Sequence, residues 1–258
     1  MKHFCYFRLP LLILFSFLIF SCASRKKMAY YQNIGDIVQG SESSQNYEPV
    51  LEADDQIKII VVAENQEVAS PFNVSRTDAK SGVSTPGQET NIYLIDNQGY
   101  IQFPVIGKIK LGGLTKSQAV AEMNSVLRKY VTEASVTISI LNYKVTVQGE
   151  VARPGTFNVQ SERLTLPEAL AMAGDLTIYG KRENVMIVRE KLGKKTVERV
   201  DITKADFINS PYYYLAQNDL IYVEPNRARI NSSKTDPNVG IIISSVSLLI
   251  TIIVLITK

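Results

Sequence analysis

Nineteen consecutive residues, Val239 to Thr257, carry no charge, and this stretch constrains the fold more than any other. As a helix it would measure about 28 Å, close to the roughly 30 Å hydrocarbon core of a bilayer. The sequence therefore predicts a transmembrane helix over 239–257, reached through a linker at 226–238. Arg227, Arg229, Lys234 and Asp236 precede it and only Lys258 follows. Gly240, Ser244, Ser247 and Thr251 recur at spacings of four, three and four, which puts them on one helical face. Such a face either packs against neighbouring helices or lines a wet lumen built by several copies. Hydroxyls that can bond to their own helix backbone favour packing. Both readings give the helix neighbours.

The other apolar block lies at the start. Lys2 and Arg8 bracket a basic opening, and Leu9 to Phe20 is an uncharged, mostly apolar run that includes Pro10 and Ser16. Those residues span about 18 Å as a helix, too little to cross a bilayer, so 1–21 reads as a secretory signal peptide. Ile19-Phe20-Ser21-Cys22 follows, with an apolar residue three places before the cysteine and a small one just before it. This resembles the lipobox of bacterial lipoproteins, and the resemblance implies that Cys22 is acylated and becomes the first residue. Isoleucine stands where leucine is usual, and Phe20 where a small residue is usual. Two anchors, a lipid and a helix, would keep everything between them beside a membrane.

Without residues 1–21 the formal charge falls from +3 to +1, since that segment holds Lys2 and Arg8 and no acid. No global basic signal is left for nucleic acid. The lone histidine, His3, and Cys5 go with it, so no disulfide is available. The remainder lacks the residues for a histidine base, a Cys–His dyad or the usual zinc sites. Neither catalysis, a metal nor a cofactor is expected.

Residues 22–46 are polar, with a Gly/Ser-rich finish, and read as a spacer. Gln56 to Ala63 is a β-rich run, and 64–90 is a long polar loop. Asn91–Ile95, the turn Asn97-Gln98-Gly99, and Tyr100–Ile106 suggest a hairpin. Thr115 with Gln118 forms a capping box, behind which Ala119, Val120, Met123, Val126, Leu127 and Tyr130 follow the helical period. Ser135–Leu141 and Lys144–Gly149 alternate as half-buried strands. Thr165-Leu166-Pro167-Glu168 is a second capping box, and Gly174 should stop its helix. Strands at Asn184–Arg189, Thr196–Asp201 and Asp219–Val223 close the pattern. Hairpins mixed with single helices mean α+β, not a doubly wound parallel sheet.

Two stretches carry a resemblance. Gly99 to Val131 is similar to the polysaccharide export domain, with its Pro-hydrophobic-x-Gly turn at Pro104–Gly107 and its Gly-Leu-Thr helix cap at Gly113, Leu114 and Thr115. Val145 to Val159 resembles the soluble-ligand-binding β-grasp motif (SLBB), with Gly149, Val151, Pro154 and Gly155 forming its turn. The resemblance covers about 47 to 225 and is to the Wza-like outer-membrane polysaccharide exporters. One departure is Ala53-Asp54, where a glycine usually precedes the aspartate. It implies an α+β chain with a small mixed-sheet export domain at 47–143 and an SLBB β-grasp domain at 144–225, ahead of the C-terminal transmembrane helix. It also implies a homo-oligomeric ring of about eight copies, set in outer-membrane lipid with the sheets in the periplasm. Such a ring would conduct a capsular or exopolysaccharide handed over by an inner-membrane copolymerase. A closed ring of helices can make a channel where one helix cannot, and a lining of hydroxyls binds a passing polymer weakly.

Two rivals use the same residues. A membrane-anchored periplasmic glycan-binding module without a pore would stack sugars on Tyr212, Tyr213 and Tyr214, although tyrosines in a strand usually pack. An envelope hydrolase would pair Asp54 with Asp55, but adjacent residues of extended backbone point to opposite faces. The lysines around Gly193 read as a solvated hairpin tip, since no helix starts after that glycine.

Overall fold

The computed structural model describes residues 28–36, 47–73, 91–191, 193–234 and 238–256. The signal peptide at 1–21, Cys22, most of the spacer and most of the long loop before Asn91 lie outside the described residues.

Alternation of apolar and polar residues builds the first sheet. In β1 (Gln56–Val62) Ile57, Ile59 and Val61 point inward and are buried. It is flanked by β2 (Ile92–Leu94) and β5 (Ser135–Ile140), both antiparallel, giving the order β2-β1-β5. The segment after β1 makes one helical turn, α1 (Gln66–Ala69). Helix α2 (Lys116–Leu127) buries Ala119, Met123 and Leu127, one face at the helical repeat. Thr115 and Gln118 close the capping box in both directions. A separate ribbon, β3 (Tyr100–Phe103) with β4 (Gly107–Lys110), adds Ile101, Phe103 and Ile109 to the same core. Each aliphatic side chain buried this completely contributes about 1.5–3 kcal/mol.

The hairpin expected between 91–95 and 100–106 does not form. Ile92–Leu94 pairs with β1, and Tyr100–Phe103 pairs forward with β4. The chain does turn at 96–99, but Asp96 Oδ1 accepts the amides of Gln98 and Tyr100. The Gly99 carbonyl then accepts Leu111 and Gly112, which commits β3 to β4.

A second core lies beneath a five-stranded sheet. Its strands are β6 (Lys144–Gly149), β7 (Gly155–Asn158), β9 (Gly180–Lys191), β10 (Lys194–Val200) and β12 (Leu220–Pro225), ordered β10-β9-β12-β6-β7. Only β12 and β6 run parallel. β8 (Leu164–Thr165) pairs with β11 (Tyr214–Leu215) and leads into α3 (Leu166–Met172). Thr165 and Glu168 form the second capping box, with Pro167 in the first turn where no amide is needed. Val145, Val147, Leu166, Ala169, Val185, Ile187, Leu215, Ile221 and Val223 fill this core. The fold is α+β.

Two helices follow, α4 (Arg227–Lys234) and α5 (Val239–Ile256). Ile241, Ile242, Ile243, Leu248, Leu249, Ile253 and Leu255 of α5 are exposed. The transmembrane helix expected at 239–257 needs correction: among the described residues no helix is long and apolar enough to cross a membrane. The helix forms, but its 18 residues give about 27 Å against a core of about 30 Å.

Candidate functional site

The export-domain residues gather at two places. Pro104 opens the β3–β4 tip and Gly107 begins β4. Between them Ile106 N–H donates to Pro104 O at 2.7 Å, with Val105 at φ 65°. A β-branched residue in that region is strained, and Val105 is 61% exposed. Gly113 and Thr115 sit at the start of α2. Gly113 takes φ 88°, and its N–H donates to Leu51 O at 2.7 Å while Leu51 N–H donates to Leu114 O at 2.9 Å. Glu48 accepts Ser117 Oγ at 2.6 Å. The cap is thereby stitched to residues 48–51.

The SLBB residues form the β6–β7 connection. Gly149 is forced to be glycine: a Cβ there would stand 2.0 Å from Val223 O, and its φ is 92°. Pro154 is exposed at the turn, and Gly155 opens β7 opposite Val147. Amides of the connection reach the loop after α3, Ala152 N–H to Asp175 O at 2.9 Å and Arg153 N–H to Ala173 O at 2.8 Å. Thr177 N–H returns to Glu150 O at 3.0 Å.

The two cores meet at a polar junction. Asn142 Oδ1 accepts Gln56 N–H at 2.9 Å, and its Nδ2 donates to Asp54 O at 2.9 Å. Its own carbonyl accepts Gln217 Nε2 at 2.8 Å, while Gln217 Oε1 accepts Lys144 N–H at 2.9 Å. Tyr47 Oη and Tyr143 Oη both donate to Leu215 O, at 2.8 and 2.7 Å. Burial raises both phenols, Tyr47 to about 12. Lys116 and Glu162 add an ion pair across the junction.

Asp54 and Asp55 part company here: Asp55 is wholly buried and Asp54 exposed. They diverge because Asp54 is left-handed, φ 67°, rather than extended. Asp55 Oδ2 accepts Glu52 N–H at 2.8 Å, and Oδ1 has no hydrogen-bond partner among the described residues. Burial pushes the Asp55 carboxyl up to about 6. Glu52 is pushed up to about 7, first by burial and then by the Asp55 charge. Asp219, fully buried, pairs with Arg189 through Nη2–Oδ2 at 2.7 Å and Nε–Oδ1 at 3.0 Å.

The tyrosine run is engaged within the molecule. Tyr214 stacks on Tyr47 at 4.8 Å between ring centroids, and Tyr213 meets Tyr214 edge-on at 5.1 Å. Tyr212 lies under the Arg189 guanidinium at 4.9 Å. The sugar-stacking rival loses those ring faces to protein contacts.

On α5 the period brings Gly240, Ser244, Ser247 and Thr251 to one face. Ser244 Oγ donates to Gly240 O, Ser247 Oγ to Ser244 O and Thr251 Oγ1 to Ser247 O, at 2.8–2.9 Å. Those hydroxyl protons are spent on the helix's own backbone. Among the described residues no group of His, Cys, Asp and Glu is placed to hold a metal ion.

Sequence reasoning missed the junction and the docking of 28–36 on the second core. Asn142 and Gln217 lie in irregular stretches with no period to mark them.

Residues 43–141 match the family described as polysaccharide biosynthesis/export protein, and 144–201 match the SLBB domain. The chain is 27% identical over 172 residues to the EPS I polysaccharide export outer membrane protein EpsA of Ralstonia solanacearum. It is 28% identical over 171 residues to the protein of the same name from Ralstonia nicotianae. Each alignment takes in 64% of this chain, but it spans only 45% and 44% of those relatives. Both relatives are named as outer-membrane proteins. The export and SLBB regions are consecutive, each on its own buried core, so the chain carries a polysaccharide export domain followed by an SLBB domain, the order that the Wza-like resemblance implies.

Proposed function

We propose that this protein oligomerises into a ring at the outer membrane and passes a capsular or exopolysaccharide outward, without catalysing a reaction. The observation that carries the reading is the export core followed by the SLBB core and then α5, whose apolar side chains are left exposed. In this reading Cys22 is acylated after removal of 1–21. The export domain (47–143) and the SLBB domain (144–225) stand in the periplasm. The exposed apolar side chains of helix α5 would be covered by copies of itself in the ring. Exposed Ile60, Val62, Ile92 and Leu94 on the first sheet supply apolar surface for contact between copies. The polymer would arrive from an inner-membrane copolymerase.

Chemical cross-linking in intact outer membranes tests the ring. A ladder that closes at one large multiple of the chain is expected; monomers and scattered dimers would remove the pore. Deleting 239–258 should abolish surface polysaccharide and leave a folded periplasmic protein.

The second reading, an anchored glycan-binding module without a pore, draws on the hydroxyls of α5, whose protons are already bonded to its own backbone. Ser247→Cys distinguishes the two. Modification by a water-soluble thiol reagent in the assembled protein indicates a wet lumen, and protection indicates packing.

A further inference from the structure

Residues 28–36 lie along the second domain instead of spacing it from its anchor. Tyr30 Oη donates to Asp175 Oδ1 at 2.5 Å, and the Arg182 guanidinium lies over its ring at 5.2 Å. Tyr31 stacks on Phe207 at 5.7 Å between centroids. Gln32 N–H donates to Thr203 O at 2.8 Å. Asn33 fastens the end, its Oδ1 accepting Ala205 N–H at 2.6 Å and its Nδ2 donating to Asp206 Oδ1 at 3.1 Å. Arg182 is only 6% exposed. Its guanidinium donates to the carbonyls of Leu176, Thr177 and Gly180 at 3.2–3.3 Å, so Tyr30 covers a cation already bound to the 175–180 loop.

The same loop is gripped from the C-terminal side. Asn226 N–H donates to Tyr179 O at 2.7 Å and Asn226 Nδ2 to Ile178 O at 3.3 Å. Arg229 of α4 lies over the Tyr179 ring at 5.6 Å and pairs with Glu150 at 3.0 Å. Glu150 in turn accepts Thr177 Oγ1 at 2.9 Å. Between the two grips Ile178 is left 63% exposed.

We infer that the loop Asp175–Gly180 is the end of the second domain that rests on the lipid surface, with Met28–Asp36 as the strap that delivers the acylated end to it. The inference rests on the reading that Cys22 is acylated. Chain length shows what the strap does. Cys22 to Tyr30 is eight steps, a reach of at most about 28 Å, whereas a tether free as far as Tyr47 would reach roughly 85 Å. Docking thus removes about two-thirds of the slack and keeps the loop at high effective concentration beside the lipid. The chain that leads to α5 leaves β12 beside the same loop, through the Asn226 bonds to Ile178 and Tyr179, so the strap and that exit share one end of the domain. An exposed isoleucine beside an aromatic ring and an arginine suits the boundary between headgroups and acyl chains.

The test uses the full-length protein in vesicles of phosphatidylethanolamine and phosphatidylglycerol, with a fluorophore on Ile178→Cys and lipids brominated near the headgroup as quenchers. Quenching of about twofold at position 178 is expected, with none from the same label on Val105→Cys in the first domain. Tyr30→Ala/Asn33→Ala should relieve most of the quenching and raise hydrogen exchange in 28–36 while leaving the sheet amides protected. No quenching at 178, or equal quenching at 105, overturns the inference; so does fast exchange of 28–36 in the unsubstituted strap. The mass of the N-terminal peptide reads acylation separately. An acylated Cys22 with an unquenched 178 sinks the loop inference alone. An unmodified Cys22 sinks the lipoprotein reading, and quenching at 178 in Cys22→Ser protein would then show the loop held at the lipid through α5.

Discussion

At the turn before β1, one residue is strained and two carboxyls resist ionisation. Burial raises Glu52 to about 7, helped by the Asp55 charge, and Asp55 to about 6, helped by the Asp54 charge, from ordinary values of 4.5 and 3.8. The folded chain holds these protons more tightly than the unfolded one, so their stabilisation is complete below the ordinary values and is lost as pH rises through 6 to 7. Glu224, held down to about 2 by Arg199 and Lys181, titrates below that window. Glu52→Gln should therefore leave the melting temperature nearly unchanged at pH 4 and raise it at pH 8, by the equivalent of about 1–2 kcal/mol after solvent screening. Equal shifts at both pH values would show that charge is not the cause. Asp54 lies beside them at φ 67°, in the position where the family's glycine would sit without strain. Asp54→Gly keeps the backbone bonds from Asp54 N to Ile95 O and from Asn142 to Asp54 O. The relief of about 1 kcal/mol exceeds the extra unfolded-state entropy of glycine, for a net gain of about 0.5 kcal/mol by thermal melting.

Among the elements, β6 has the least freedom, because Gly149 lets the Val223 carbonyl of β12 approach it. Gly149→Ala must push apart the parallel pair of the second sheet, at a cost of about 3 kcal/mol or more. Gly240→Ala, where a Cβ meets nothing within 4 Å, is the control. The first core shares no strand with this sheet, so limited proteolysis of Gly149→Ala should spare 47–140 and digest 144–225. Elements with a local signature were legible in the sequence. Both capping boxes formed where Thr115 and Thr165 precede Gln118 and Glu168, and the alternation at 56–62, 135–140 and 144–149 became strands. Partner choice was not legible, since Ile92–Leu94 finds β1 across thirty residues of sequence while a plausible turn lies next to it. The strap was also hidden. Tyr30, Tyr31 and Gln32 have no period, and their partners, Asp175, Phe207 and Thr203, are distant in the chain. In the candidate site the motif glycines were legible through the turns they permit. Asn142 and Gln217 act by side-chain bonds that no pattern announces.

Across the whole molecule, the ring proposed for this protein would need the two sheets to keep a fixed relation, and polar bonds at the junction hold it. Asn142 bonds forward to Gln217 and backward to Asp54 and Gln56, and Tyr47 reaches over from the export side to Leu215 and Tyr214. Gln217 is 8% exposed, so removing its amide leaves Lys144 N–H and Asn142 O without their present partners, at about 1–3 kcal/mol. Tyr47→Phe keeps the stack on Tyr214 and removes only the bond to Leu215, worth about 1 kcal/mol. Neither substitution removes a buried apolar side chain of the two cores, so each domain should keep its own stability and lose its neighbour's support. Calorimetry of the full-length protein in detergent is expected to give one cooperative transition, and Gln217→Ala/Tyr47→Phe to split it in two. A single transition moved to lower temperature would mean that the junction is part of one folding unit. The split is expected because the polar junction bonds carry the coupling, so surface polysaccharide should fall in the double variant even where each domain remains folded.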